Sequence, residues 1–116
     1  MRSDLIGAYG EHLAAKYLRE EHYDIKSANF KTYTGEVDLI AEKDGVLCFI
    51  EVKTRQIGGM TSPADAVNVH KQKNIKSAAS VYLNKWAKTK EHRFDIIEVF
   101  LEAEELQKIT HLKNVF

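Results

Sequence analysis

The chain has 116 residues, enough for one domain around one core and not for two. Hydrophobic residues make up 44% and charged residues 29%, an ordinary globular composition, and no apolar run approaches the ~20 residues of a membrane span. Lys and Arg together number 17, as do Asp and Glu, so bulk charge does not suit the chain to coating nucleic acid. The charge is unevenly spread, however. Residues 53–93 hold 9 basic side chains against 2 acidic ones, Asp65 and Glu91, which makes this stretch a candidate anion-facing surface. The plainer reading is a solvated lysine face. A lone cysteine, Cys48, excludes an internal disulfide, and the start of the chain lacks the apolar core of a signal peptide, so the cytoplasm is the expected compartment.

Leu5, Tyr9, Leu13 and Tyr17 recur every four residues, with Ile6, Ala14 and Leu18 widening the stripe, and predict a helix over 4–20 capped by Ser3 or Asp4. A strand is expected from Tyr23 to Phe30, then a loop ending at Gly35. Residues 36–42 and 46–53 are strand patterns flanking Lys43-Asp44-Gly45, and Asp-Gly is a strong tight-turn signal. A loop is expected over 56–61. Ser62-Pro63 resembles a helix start, and a long helical pattern follows through Val67, Lys71, Ile75, Ala78, Ala79, Tyr82, Leu83 and Trp86, with a break near Asn68. Phe94–Leu101 alternates as a buried strand, and 109–116 suits a last edge strand. The order is α-β-β-β-α-β-(β), an α/β domain with a mixed sheet flanked by helices.

With Asp44-Gly45 in the turn, Lys43 pairs with Val46, Ile40 with Phe49, Asp38 with Glu51 and Glu36 with Lys53. Val37, Leu39, Ala41, Val46, Cys48, Ile50 and Val52 then share one apolar face. The other face is apolar in the middle and charged at its open end. Two carboxylates opposed across a ladder repel, and a divalent cation reverses the sign of that interaction. Oxygen ligands suit Mg2+ or Mn2+. Lys53 reaches the same face, where its ammonium can meet an attacking water or a scissile phosphate. The mundane alternative is a charged strand end bridged by Lys53.

On a helical wheel Glu11 falls among Gly7, Ala14, Ala15 and Leu18, and a carboxylate there needs a partner or a metal. Arg55, directly after the acid-x-Lys pattern, and Lys71, Gln72 and Lys73, near the start of the long helix, are candidate phosphate contacts. Glu36 is read as a flanking charge, Cys48 as core, and the five histidines, lacking zinc spacing, as incidental.

At these residues the chain resembles the YraN family of small bacterial proteins. The resemblance is carried by Gly35-Glu36-Val37-Asp38-Leu39-Ile40-Ala41 and Phe49-Ile50-Glu51-Val52-Lys53-Thr54-Arg55, with Gly7-Ala8-Tyr9-Gly10-Glu11, Lys71 and Arg93-Phe94-Asp95. That family belongs to the PD-(D/E)xK, restriction-endonuclease-like superfamily and is similar to archaeal Holliday junction resolvases. The resemblance implies an αβββαβ core spanning residues 1–116 as one domain. It implies a metal set of Asp38 and Glu51, with Val52 beside them, and catalytic roles for Lys53 and Glu11. It further implies Mg2+- or Mn2+-dependent cleavage of structured or damaged DNA, and a homodimer by analogy with resolvases. Val37 stands where the motif's proline would. The alternative is a weakly catalytic nucleic-acid-binding module or an interaction domain on the same fold.

Overall fold

The expected first helix forms as α1, Ser3–Glu20. The computed structural model describes residues 2–58 and 67–116. Arg2, in extended conformation, is the N-cap of α1 and no side chain caps it, so Ser3 and Asp4 lie inside the helix rather than before it. Asp4 still suits the first turn, where an acidic charge meets the positive end of the helix dipole.

Three antiparallel strands follow: β1 (Asp24–Lys31), β2 (Glu36–Lys43) and β3 (Val46–Gln56). Asp44 and Gly45 both adopt positive φ, 52° and 79°, as a two-residue hairpin turn demands, and Lys43 pairs with Val46 as expected. The second helix among the described residues is α2 (Val69–Trp86). Asn68, where a break was expected, is its N-cap, accepting the Lys71 N–H at 2.8 Å. Residues 59–66, including Ser62-Pro63 and half of the expected 56–61 loop, lie outside the described residues.

Strand β4 (Glu91–Glu102) returns parallel to β3, and β5 (Glu105–Leu112) folds back antiparallel on β4. The sheet order is β1-β2-β3-β4-β5. Strand β5 begins four residues before the expected Ile109. Its turn is Ala103-Glu104, with φ of 49° and 68°, a left-handed conformation that costs non-glycine residues roughly 1–2 kcal/mol each.

Among the described residues, one helix packs on each face of this mixed sheet. Ala14, Ala15 and Leu18 of α1 bury against Leu39, Ala41, Cys48, Ile50, Val52, Ile97, Val99 and Leu101. Ile75, Ala78 and Ala79 of α2 bury against Val37, Ile40, Leu47 and Phe49. The architecture is compatible with a restriction-endonuclease-like core. Val37 departs from the expected face: it joins the α2 cluster, whereas Leu39 faces α1. The change falls where β2 leaves β3, since their backbone pairing runs from Lys43–Val46 only as far as Leu39–Ile50.

Candidate active site

The parting of β2 from β3 builds the site. Beyond Leu39–Ile50 the ladder stops, so the expected backbone pairs Asp38–Glu51 and Glu36–Lys53 do not form. Instead the Asp38 carboxylate accepts the Val52 N–H at 2.8 Å, a charge-assisted bond in place of a ladder rung. Glu36 pairs with Lys31 on β1. The gap opens a cleft of about 490 Å³ in which Glu11, Asp38, Glu51, Val52 and Lys53 all take part, with Ile6 and Gly7 of α1 at its wall. The sequence-predicted catalytic and metal residues are therefore brought together.

Glu11 reaches the cleft because α1 crosses β3 closely. Gly10 is buried, and a Cβ there would sit 1.9 Å from Thr54 Oγ1 and 3.0 Å from Thr54 Cβ. A Cβ on Gly7 would meet nothing within 4 Å. Gly10→Ala should therefore lower stability by about 1–3 kcal/mol through overpacking. Gly7→Ala should be neutral or stabilising by up to about 1 kcal/mol, from helix propensity. Thermal melts of the two variants check the contrast.

The carboxylates strain one another. Glu51 is only 5% exposed. Burial, then the hydrogen bond and negative charge of Asp38, push its carboxyl up to about 8, with Lys71 pulling the other way. Burial and the neighbouring Asp38 and Glu36 push Glu11 up to about 7, against the pull of Lys31. Lys71 Nζ lies 3.2 Å from Glu51 Oε1. Burial opposes the Lys71 charge, but Glu51, Lys53 and Asp38 more than offset it and raise its pKa. Lys71 is thus part of the site itself, closer than the phosphate contact its sequence position suggested.

The other candidate contacts are placed differently. Arg55 bonds Glu98 on β4 through Nε and Nη2, both at 3.1 Å. Gln72 turns back to donate to the Val67 carbonyl at 3.1 Å. Lys73 is exposed on α2. Cys48 is buried in the core, and burial pushes its thiol up to about 11, which makes it a poor nucleophile.

A second polar cluster was not legible in the residue pattern. Asp95 is wholly buried on β4. It accepts from Arg93 Nε at 3.1 Å and from the Asn114 N–H at 2.9 Å, and its Oδ2 lies 2.8 Å from His111 Nε2. His111 Nδ1 meets the Tyr17 hydroxyl at 3.0 Å, and Arg93 Nη2 donates to the Tyr23 hydroxyl at 2.9 Å. With Nε2–H given to Asp95, Nδ1 is left to accept from Tyr17. His111 is therefore structural rather than incidental. Its partners lie 16 and 94 residues away, so no local spacing marks it.

No three His, Cys, Asp or Glu side chains among the described residues are grouped to hold a metal by themselves. The donors that fit a hard cation are two side-chain carboxylates, Asp38 and Glu51, in mutual repulsion inside one cleft. Val52 can add only its carbonyl oxygen, since its N–H is held by Asp38 and its side chain lies in the core.

The fold and cleft define a small mixed α/β domain with a carboxylate–lysine site at a strand divergence. The family model described as "Uncharacterised protein family UPF0102" matches residues 10–99, and the chain belongs to that family. It is 43% identical over 114 residues to a UPF0102 protein of Caldanaerobacter subterraneus subsp. tengcongensis, covering 96% of this chain and 93% of the relative. It is 41% identical over 113 residues to one of Clostridium beijerinckii, with 96% and 92% covered. A Syntrophomonas wolfei relative is 42% identical over 112 residues, with 96% of each chain covered. Among the described residues, no helix is long and apolar enough to cross a membrane.

Proposed function

We propose that this protein is a Mg2+- or Mn2+-dependent phosphodiesterase of the PD-(D/E)xK kind, the superfamily of the YraN resemblance, acting on structured or damaged DNA. The observation that carries the reading is the convergence of Glu11, Asp38, Glu51 and Lys53 on one cleft, from α1, β2 and β3. Asp38, Glu51 and the Val52 carbonyl would hold the ion. Bound there, it would offset charge on a phosphate oxygen and acidify a water molecule.

The chain's own groups supply the rest. Lys53 places an ammonium where negative charge grows on the phosphate. Glu11, with its carboxyl near neutrality, is suited to take a proton from the attacking water. Lys71 neutralises Glu51 until the site is filled and is then free to turn to the phosphate backbone. By analogy with resolvases, a homodimer would set two such clefts on one branched substrate.

The test is cleavage of a panel of branched, nicked, flapped and single-stranded DNAs in manganese and in chelator. Cleavage should require the metal. Asp38→Asn, Glu51→Gln and Lys53→Ala should each reduce it by at least about 100-fold while circular dichroism stays native. Equal cleavage in excess chelator would overturn the metal mechanism. Metal-independent binding of the same DNAs without cleavage would favour the binding module instead.

A further inference from the structure

Helix α2 carries Lys71, Lys73, Lys76 and Lys85 and no acidic residue, and Lys88 and Lys90 follow it. Its C-terminal end meets the turn between β1 and β2. There Phe30, Tyr82 and Trp86 pack at angles to one another, with ring centroids 5.5, 6.0 and 4.9 Å apart. Trp86 nonetheless stays 57% exposed, and Tyr33 on the turn is wholly exposed at 109%. A cleft of about 530 Å³ is lined by Lys31, Tyr33, Val81, Lys85 and Trp86, among others. Lys85 Nζ lies 4.8 Å from the Trp86 ring centre. Among the described residues, neither Lys31 nor Lys85 is held in an ion pair.

This surface and the Asp38–Glu51 cleft are linked through the β1–β2 turn and α2. Lys31 pairs with Glu36, two residues before Asp38, and its charge is felt at Glu11. The turn is tied to α2 by a hydroxyl bond between Thr34 and Ser77 and by Gly35, where a Cβ would stand 2.0 Å from the Asn74 carbonyl oxygen. The same helix carries Lys71 onto Glu51 at its other end. Lys71 and Lys85 are separated by roughly 21 Å of helix.

An apolar protein partner has no use for free ammonium groups beside the rings. An anionic polymer with flat apolar faces uses both, and only unpaired bases expose those faces. We propose that Tyr33 and Trp86, with Lys31 and Lys85, form a stacking site for a single nucleic-acid strand leading into the Asp38–Glu51 cleft. The substrate then carries an unpaired segment, such as a flap or overhang. The surface takes its functional meaning from the phosphodiesterase reading, but its binding is measured without cleavage.

Trp86 is the only tryptophan, so its emission reports this site alone. The experiment titrates an oligodeoxythymidine of roughly 15 nucleotides into the protein in chelator, so that several bases can engage. Saturable quenching is expected, with a midpoint that weakens as salt rises. A blunt duplex of equal length should leave the emission unchanged. Tyr33→Ala, which removes no packed side chain, should weaken strand binding roughly 5- to 150-fold, and Lys85→Glu should flatten the salt dependence.

Unchanged emission, or equal binding by Tyr33→Ala, would overturn the proposal. So would an emission shift that depends on protein concentration alone, because a second copy would then cover the rings. Quenching without metal-dependent cleavage would sink the phosphodiesterase reading and leave the stacking site standing. Cleavage of duplex without quenching would do the reverse.

Discussion

Replacing Asp95 by alanine is expected to cost about 3–5 kcal/mol of stability. The carboxylate has no contact with solvent and collects donors from Arg93, His111 and the backbone of Asn114. Removal leaves the half-buried Arg93 charge without its carboxylate, the nearly buried His111 N–H without an acceptor, and the Asn114 N–H without its partner. Urea melts should show the loss with little change in slope. Asp95→Asn should lose less, since its carbonyl can still take one donor. Burial by itself would raise the Asp95 carboxyl, but His111, the Asn114 N–H and Arg93 together hold it below the ordinary value. Its contribution is therefore present above the pKa of the unfolded chain and is lost as pH falls through the lower folded value. A parent no more acid-sensitive than Asp95→Asn would contradict this account.

The second large effect belongs to Glu51→Gln; it depends on pH and changes sign with metal. The folded carboxyl of Glu51 lies near 8, above its ordinary 4.5, so the fold favours its protonated form. Stability from that preference is complete below the unfolded pKa and is lost as pH rises through about 8; Glu11 adds a parallel loss up to about 7. In chelator near pH 8, Glu51→Gln should thus exceed the parent by on the order of 2 kcal/mol, and near pH 5 the two should agree. Saturating manganese should reverse the order. Metal held only by the folded parent stabilises it by about 2.7 kcal/mol at a hundred times Kd. Six melts decide it, and a Glu51→Gln protein less stable than the parent in chelator at both pH values would rule out a poised acid pair. Burial is the main cause of the strain on Glu51, with Asp38 adding to it.

Much of this was legible in local pattern. Asp44-Gly45 fixed the hairpin register through Leu39–Ile50, and so placed Asp38, Glu51 and Lys53 at one end. Glu11 was legible because a carboxylate on the small-residue face of α1 has to meet something, and Gly10 makes the approach close. What stayed hidden depends on long-range geometry. Alternation could not show that β2 parts from β3 at Asp38, sending Val37 to the α2 side. The Ala103-Glu104 turn escaped notice because neither residue favours the left-handed conformation that the sheet imposes on it. Lys71 read as one lysine of a basic run, and only the packing of α2 sets it against Glu51.

The parallel pairing of β3 with β4 also orders events in time. Each of its rungs joins residues far apart in the chain, Val46 with Glu91 and Gln56 with Leu101, with α2 in between. A hairpin such as β2–β3 closes within roughly 1–10 μs, whereas the crossover has to gather a long loop before any rung repays it. Asp38 and Glu51 therefore come together while the chain is still forming, and Lys71 reaches them only when α2 docks. During that interval Glu51 lacks the Lys71 ammonium that faces it in the finished fold, and Lys53 on the same strand is the nearest basic neighbour along the chain.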